Sequence, residues 1–107
     1  MFIAMNRFQV LAGEEPNFET MWKSRDSYLD EVPGFVSFHL LRGATTDDGT
    51  LFASHTVWES RAAFEAWTKS EVFRKAHANA GGTRPLYAGA PRLEVFDPVA
   101  MDGPAAR

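Results

Sequence analysis

Alternating apolar side chains at the start of the chain constrain its fold more than any other feature of the sequence. One face of the segment FIAMNRFQVL carries five side chains: Phe2, Ala4, Asn6, Phe8 and Val10. This period of two is typical of a β-strand with one buried face. Because such a face must be covered by another element, the segment predicts a first strand that contributes to a core.

A helix is predicted after this strand, over residues 16–32. Pro16 suits the first turn of a helix, and Glu14 and Glu15 suit the positive end of its dipole. Residues of one helical face recur at the required spacing: Phe18, Met21, Trp22, Arg25, Leu29 and Val32. The dipeptide Pro33–Gly34 is expected to end this helix.

Two strands and a second helical segment are predicted in the middle of the chain. The stretches FVSFHLLR and LFASHTVW are typical of strands, and the polar turn GATTDDGT between them predicts an antiparallel hairpin. The stretch ESRAAFEAWTKSEVFRKAHANA is helical in composition. Ser60 and Ser70 are its candidate caps, so a bend is predicted near Ser70.

The end of the chain predicts a Gly- and Pro-rich loop, GGTRPLYAGAP, and a last strand, RLEVF. The segment DPVAMDGPAAR is expected to be a loose tail. The predicted boundaries are one domain over residues 1–98 and a tail over residues 99–107.

The order of elements, β-α-β-β-α-β, predicts an α+β fold of the ferredoxin-like type. In that fold the sheet is antiparallel and both helices cover one of its faces. The other face would remain exposed in a single copy of the chain. Two such sheets packed face to face would bury it, so the sequence predicts a homodimer with a shared β-barrel.

Composition argues against several classes of function. The chain has 107 residues and a net charge of −3, with no basic stripe for nucleic acid. Its lack of cysteine excludes disulfides, thiolate catalysis and cysteine-ligated metals. No signal pattern or membrane-spanning apolar run is present, so a cytoplasmic protein without membrane contact is expected.

Asn6 is the polar exception on the apolar face of the first strand. A buried amide needs hydrogen-bond partners, and lacking them costs about 1–3 kcal/mol. Asn6 would either bond to neighbouring backbone or donate to a ligand in an apolar pocket. The spacing leaves both interpretations open.

The other candidates are Trp67 and the three histidines. Trp67 alone is typical of core packing, and His77, ten residues later, of a helix end. A helix end favours protonated imidazole, whereas a metal requires the neutral form. His39 and His55 lie on adjacent predicted strands and would allow a two-histidine metal site. No carboxylate completes that site, so a structural or surface role is favoured for both.

Residues 55–77, HTVWESRAAFEAWTKSEVFRKAH, resemble the antibiotic biosynthesis monooxygenase superfamily. Its hallmark is a strand ending in Trp-Glu-Ser, followed by a helix ending in Ala-Phe-x-x-Trp. More specifically, the chain from about residue 2 to residue 97 is similar to IsdG-type haem-degrading monooxygenases, which are dimeric α+β barrels. AMNRF, FEAW and KAH match that family's motif, and WKSR matches its aromatic residue and arginine. The matched residues are Asn6, Trp67, His77, Trp22 and Arg25, where Phe is usual at the position of Trp22.

This resemblance implies three central roles. His77 would be the axial ligand of haem iron, since imidazole is a sound ligand for it. Trp67 would press the porphyrin out of plane, which requires tight packing around the indole. Asn6 would donate a hydrogen bond to iron-bound dioxygen, an interaction that is strongest in a dry pocket.

Other residues would shape and close the pocket. Phe8 and Phe64 would keep it dry, and Trp22 and Arg25 would face the haem. Arg25 or Arg84 would pair with a haem propionate.

The implied activity is that of a haem oxygenase, in which haem is both substrate and cofactor. O2 and electrons from an external reductase would open the ring and release iron and a bilin-type product. Three alternatives stay open: a cofactor-independent monooxygenase of a polyketide-like aromatic, a haem carrier or sensor, and a dimeric module without a ligand.

Overall fold

The computed structural model describes residues 1–24, 28–71, 73–74 and 86–100. Its elements follow the predicted order, with a 3-10 turn before the second strand. They are β1 (Phe2–Val10), α1 (Glu15–Ser24), the 3-10 turn (Leu29–Glu31), β2 (Phe35–Thr46), β3 (Gly49–Trp58), α2 (Arg61–Thr68) and β4 (Tyr87–Phe96). The predicted ferredoxin-like α+β fold is confirmed. No helix among the described residues has the length and apolar character needed to span a membrane.

The four strands form one antiparallel sheet in the order β2-β3-β1-β4. Directly opposed residues of neighbouring strands point to the same side of such a sheet. On β1 the predicted alternation is confirmed at four positions, Phe2, Ala4, Phe8 and Val10, which are all buried beneath the helices. The odd-numbered side chains point to the face that neither described helix covers, which we call the open face: Ile3, Met5, Arg7 and Gln9.

The core beneath the helices consists of two aromatic clusters. The Trp58 cluster contains buried Phe2, Ala4, Leu29 and Trp58, with Phe35, Phe64 and Trp67 packed on it. The Phe18 cluster contains buried Phe8, Val10, Phe18 and Phe52, with Met21, Trp22 and Tyr87 packed on it. The Trp58 cluster joins α2 to the sheet, whereas the Phe18 cluster joins α1 to it.

Both predicted serine caps are present. The Ser60 hydroxyl accepts a hydrogen bond from the Ala63 N–H at 3.1 Å and thereby caps α2. The Ser70 hydroxyl accepts from the Phe73 N–H at 3.1 Å and donates to the Trp67 carbonyl at 2.6 Å. Since α2 ends at Thr68 and a new turn is capped by Ser70, the predicted bend is confirmed.

The helix predicted over residues 16–32 is wrong in its length. α1 ends at Ser24, and a separate 3-10 turn covers Leu29–Glu31. Tyr28 has a φ of 57°, in the left-handed region, and an α-helix cannot run through that conformation. The apolar spacing continues past Ser24 because the 3-10 turn places Leu29 in the same core.

The strands are longer than the sequence indicated. The hairpin turn is only Asp47–Asp48, because β2 runs to Thr46 and β3 begins at Gly49. Gly49 has a φ of 122°, and a Cβ there would lie 1.9 Å from the Val10 carbonyl oxygen. Only glycine therefore fits this tight turn. β4 begins at Tyr87, within the segment predicted as a loop.

Glu15 fixes the start of α1 above β3. Its carboxylate accepts hydrogen bonds from the Gly13 N–H at 2.8 Å and from the Thr50 hydroxyl at 2.9 Å. The pKa of Glu15 is lowered, first by its own backbone N–H and then by the Thr50 hydroxyl. These bonds tie the first turn of α1, the helix that carries Trp22, to β3.

Candidate functional site

Asn6 lies on the floor of the helix-covered face, between the two aromatic clusters. Its neighbours on that face of β1 are Ala4, in the Trp58 cluster, and Phe8, in the Phe18 cluster. Alternate residues of a strand are about 6.6–6.8 Å apart, so Asn6 is one side chain away from each cluster. The strand therefore places a single amide where the two apolar halves of the core meet.

The Asn6 carboxamide is half-buried and has no partner on the neighbouring strands. Its directly opposed residues are Ser54 on β3 and Leu93 on β4. No hydrogen bond joins the carboxamide to any residue in the described ranges. Of the two interpretations that the spacing left open, a hydrogen bond to neighbouring backbone is therefore absent within this part of the chain. Both the N–H donors and the carbonyl acceptor of Asn6 are left available to a ligand.

The side chain of Trp67, on α2, packs against three other aromatic rings. Its ring centroid lies 5.2 Å from that of Trp58, 4.8 Å from Phe73 and 6.1 Å from Phe64. Trp58 is itself fully buried, and its indole N–H donates to the Thr56 hydroxyl at 3.0 Å. A ring backed by a fixed, buried ring resists displacement when something is pressed against it.

A cavity of about 540 Å³ opens beside Trp67, between α2 and residues 31–34. Its apolar walls include Val32, Pro33, Ala62 and Ala66. Volumes between roughly 300 and 1,000 Å³ are typical of small-molecule sites. The cavity therefore has the size and apolar lining to accept part of a flat organic molecule against Trp67.

Two carboxylates, Glu31 and Glu59, also line this cavity. Neither carboxylate forms an ion pair with any residue that the structure describes. Gly34 also lines the cavity and lies against α2, because a Cβ on Gly34 would clash with the Ala63 Cβ. Their negative charge, which no ion pair with a described residue offsets, favours cationic groups here and disfavours ligand carboxylates.

Trp22 brings an aromatic wall from α1. Its ring stacks on Phe38 with centroids 5.6 Å apart, and its edge meets Phe8 at 5.9 Å. Phe8 is 7% exposed and also contacts Phe18 at 5.3 Å and Tyr87 at 5.1 Å. Most of the Phe8 ring is thus engaged in the Phe18 cluster.

The structure does not place Phe8 and Phe64 side by side. Phe64 packs on Phe2 at 5.4 Å and on Trp58 at 5.8 Å, in the other cluster from Phe8. The two rings therefore flank Asn6 from opposite sides. Sequence reasoning missed Trp58, which supports Trp67; its place at the end of the alternating stretch LFASHTVW was the available signal.

Three predicted site residues, Arg25, His77 and Arg84, lie outside the described residues. The structure does describe residues close to two of them in the sequence: Trp22 on α1 precedes Arg25, and Phe73 and Arg74 precede His77. The structure thus brings Asn6 between the clusters that hold Trp22 and Trp67. The roles assigned to the other three stay predictions.

The chain belongs to the antibiotic biosynthesis monooxygenase family, whose model matches residues 1–79. It is 33% identical over 92 residues to a heme oxygenase (mycobilin-producing) of Mycobacterium tuberculosis, and the match covers 86% of this chain and 84% of that relative. These matches confirm the resemblance drawn from the sequence motifs.

Solved structures with this fold include the heme degrader MhuD of Mycobacterium tuberculosis, with two hemes bound in its active site. That match has a TM-score of 0.72 at 31% identity and covers 96% of this chain and 100% of that one. SnoaB, a cofactor-independent oxygenase from Streptomyces nogalater, matches with a TM-score of 0.67 at 22% identity, over 94% of this chain and 95% of that one. The likeness to SnoaB is one of fold alone.

Proposed function

We propose that this chain is a haem-degrading monooxygenase. It would open the porphyrin ring with O2 and electrons from an external reductase and release iron and a bilin-type product. The observation that carries the proposal is the half-buried Asn6 carboxamide, free of hydrogen bonds to the described residues and set between two aromatic clusters. The 33% identity to a heme oxygenase supports it.

The residues present fit haem as a substrate. Haem is a wide, flat and largely apolar molecule, and the aromatic rings of Trp22 and Trp67 with the adjoining cavity offer apolar surface to it. Burying that surface contributes roughly 25 cal/mol per Å² of apolar area. When bound, haem supplies the iron that activates oxygen and is itself the molecule that is oxidised.

Each polar or aromatic side chain then has a distinct task. Neutral His77 would hold the iron through one imidazole nitrogen. Asn6 would donate an N–H to oxygen where negative charge develops, and the apolar surroundings would strengthen that hydrogen bond. Trp67, backed by Trp58, would pack against the porphyrin face and resist displacement by it. Phe8 and Phe64 would exclude water on either side of Asn6.

The charges around the cavity orient the substrate. Glu31 and Glu59 disfavour the two haem propionates beside Trp67, so the apolar edge of the porphyrin would enter there. The propionates would then point away from the cavity. Arg25 or Arg84 would pair with them, because a guanidinium binds carboxylate in a bidentate way.

We further propose that a second copy of the chain covers the open face. Leu41 and Phe96 lie on this face and are 42% and 45% exposed, respectively, and half-buried Ile3 and Val57 lie between them on the sheet. Sedimentation is expected to give twice the chain mass of 11.9 kDa. Leu41→Glu should shift the protein towards the monomer, because it would place a charge in the interface. A monomeric wild type would contradict this proposal.

The proposed function is tested by adding one equivalent of hemin to purified protein and recording visible spectra. Ascorbate is then added in air, with catalase present to remove free peroxide. We expect a shifted Soret band that decays after reduction, with iron released to a colorimetric chelator. His77→Ala should lose the native haem spectrum, whereas His39→Ala, on the open face, should keep it.

Two outcomes would overturn the proposed function. A Soret band that persists under reducing conditions would identify a haem carrier or sensor. Failure to bind hemin stoichiometrically would favour a cofactor-independent monooxygenase or a module without this ligand, and would remove the ligand role proposed for His77.

A further inference from the structure

Three side chains with metal-ligating atoms form a row across the open face. His39 on β2 is directly opposed to His55 on β3, and His55 is directly opposed to Met5 on β1. Directly opposed side chains on antiparallel strands share a face, with Cβ atoms about 4.5–5.5 Å apart. Two imidazoles and a thioether therefore stand side by side, with His55 in the centre.

The two imidazoles are close and have no competing partners among the described residues. Their ring centroids lie 6.2 Å apart, with 54° between the ring planes. His39 is exposed and His55 is half-buried. Neither ring forms a hydrogen bond or an ion pair with any described residue. Their nitrogen lone pairs are thus available whenever the rings are neutral.

The ring separation suits chelation of a single ion. Imidazole nitrogens bind metals at about 2.0–2.1 Å, so the two nitrogen atoms that ligate one ion lie no more than roughly twice that distance apart. Ring centroids 6.2 Å apart are compatible with such a spacing, and side-chain rotation alone can complete it. The strands themselves would not have to move.

The ligand types favour copper. Imidazole suits several transition metals, whereas a thioether is a soft ligand that selects Cu(I). No cluster of three or more His, Asp or Glu side chains suited to a metal exists in the described ranges, and Met5, directly opposed to His55, is the candidate for a third ligand. Arg7, on the same face of β1, is paired with Glu94 at 2.6 Å, which offsets its charge.

We propose that His39, His55 and Met5 form a copper site, distinct from the haem site on the other face of the sheet. The ion is held as Cu(I) by two imidazoles and one thioether. Because this is the face that a second copy would cover, the ion would be enclosed between the two sheets. An ion bound only by the folded protein also raises its Tm.

The test uses the haem-free protein. Cu(I) is titrated without oxygen against a chromophoric Cu(I) chelator, and one equivalent per chain is expected to bind. His55→Ala and His39→Ala should each weaken Cu(I) binding by roughly tenfold or more. Removing only a residue that hydrogen-bonds to a metal ligand already lowers metal affinity by about that factor. Met5→Leu should weaken binding of Cu(I) but not of Zn(II), for which a thioether is a poor ligand.

His77→Ala is the matched histidine control and should leave Cu(I) affinity unchanged. Because His39 is exposed, His39→Ala should fold normally. This variant therefore keeps the test decisive even if the other variants fail to fold. The site is overturned if His39→Ala binds Cu(I) as tightly as wild type, or if His77→Ala is the variant that loses binding. Equal Cu(I) affinity in Met5→Leu would remove Met5 from the site and overturn the three-ligand proposal.

Discussion

Replacing Asn6 with alanine is expected to leave hemin affinity near wild type while lowering the rate of ring opening by about 10²–10³-fold. Loss of one well-placed donor to developing negative charge has an effect of this size. The fold should tolerate the change, because the carboxamide makes no hydrogen bond with described residues and its removal orphans no partner among them. Stopped-flow spectra after reduction of the hemin complex would measure the rate.

Two further variants sharpen this result. Asn6→Asp keeps the shape of the side chain but replaces its N–H donors with a second acceptor, so it should be as slow as Asn6→Ala. Gln9→Ala removes an amide from the same strand on the open face and should be as fast as wild type. If Asn6→Ala lost hemin binding and turnover together, Asn6 would be a packing residue instead.

The position of Asn6 could be predicted from the sequence because the period of a strand is fixed by its backbone. Once Phe2 and Phe8 are assigned to the core, Asn6 must share their face. The caps at Ser60 and Ser70 could also be predicted, because a serine hydroxyl placed just before a helical turn accepts a hydrogen bond from one of that turn's free N–H groups. Local geometry determines all of these features.

Features set by tertiary contacts could not be predicted in this way. The end of α1 depends on the left-handed conformation of Tyr28, which no apolar spacing reveals. The separation of Phe8 from Phe64 depends on which helix covers which part of the sheet. The sequence marked both rings as core-facing and apolar, but the register of α1 and α2 over the sheet divides them between two clusters.

The period of two also explains how a single strand would contribute to both proposed sites. β1 presents Asn6 to the helix-covered face and Met5 to the open face. Changes at one position need not disturb the other, because the backbone of β1 is paired on both sides, to β3 and to β4. Haem chemistry and copper binding are therefore expected to respond to separate substitutions.

Trp67→Phe is expected to bind hemin but to open the ring more slowly than wild type. Phenylalanine keeps an aromatic ring against Trp58, so the fold should survive, but its smaller ring presses less on the porphyrin. Resonance Raman bands that report out-of-plane deformation of bound haem should weaken in this variant. Trp67→Ala should show the same loss with a cost in stability of about 3 kcal/mol, the lower end for a large aromatic side chain, because Trp67 is only partly buried.

Phe18→Leu separates distortion of haem from stability of the fold. Phe18 is fully buried in the other cluster, so its truncation should lower the free energy of unfolding without changing the deformation bands. Weaker bands in Phe18→Leu, of the same size as in Trp67→Phe, would mean that general loosening of the core flattens the porphyrin. Unchanged bands in Trp67→Phe would show that the indole does not impose the distortion.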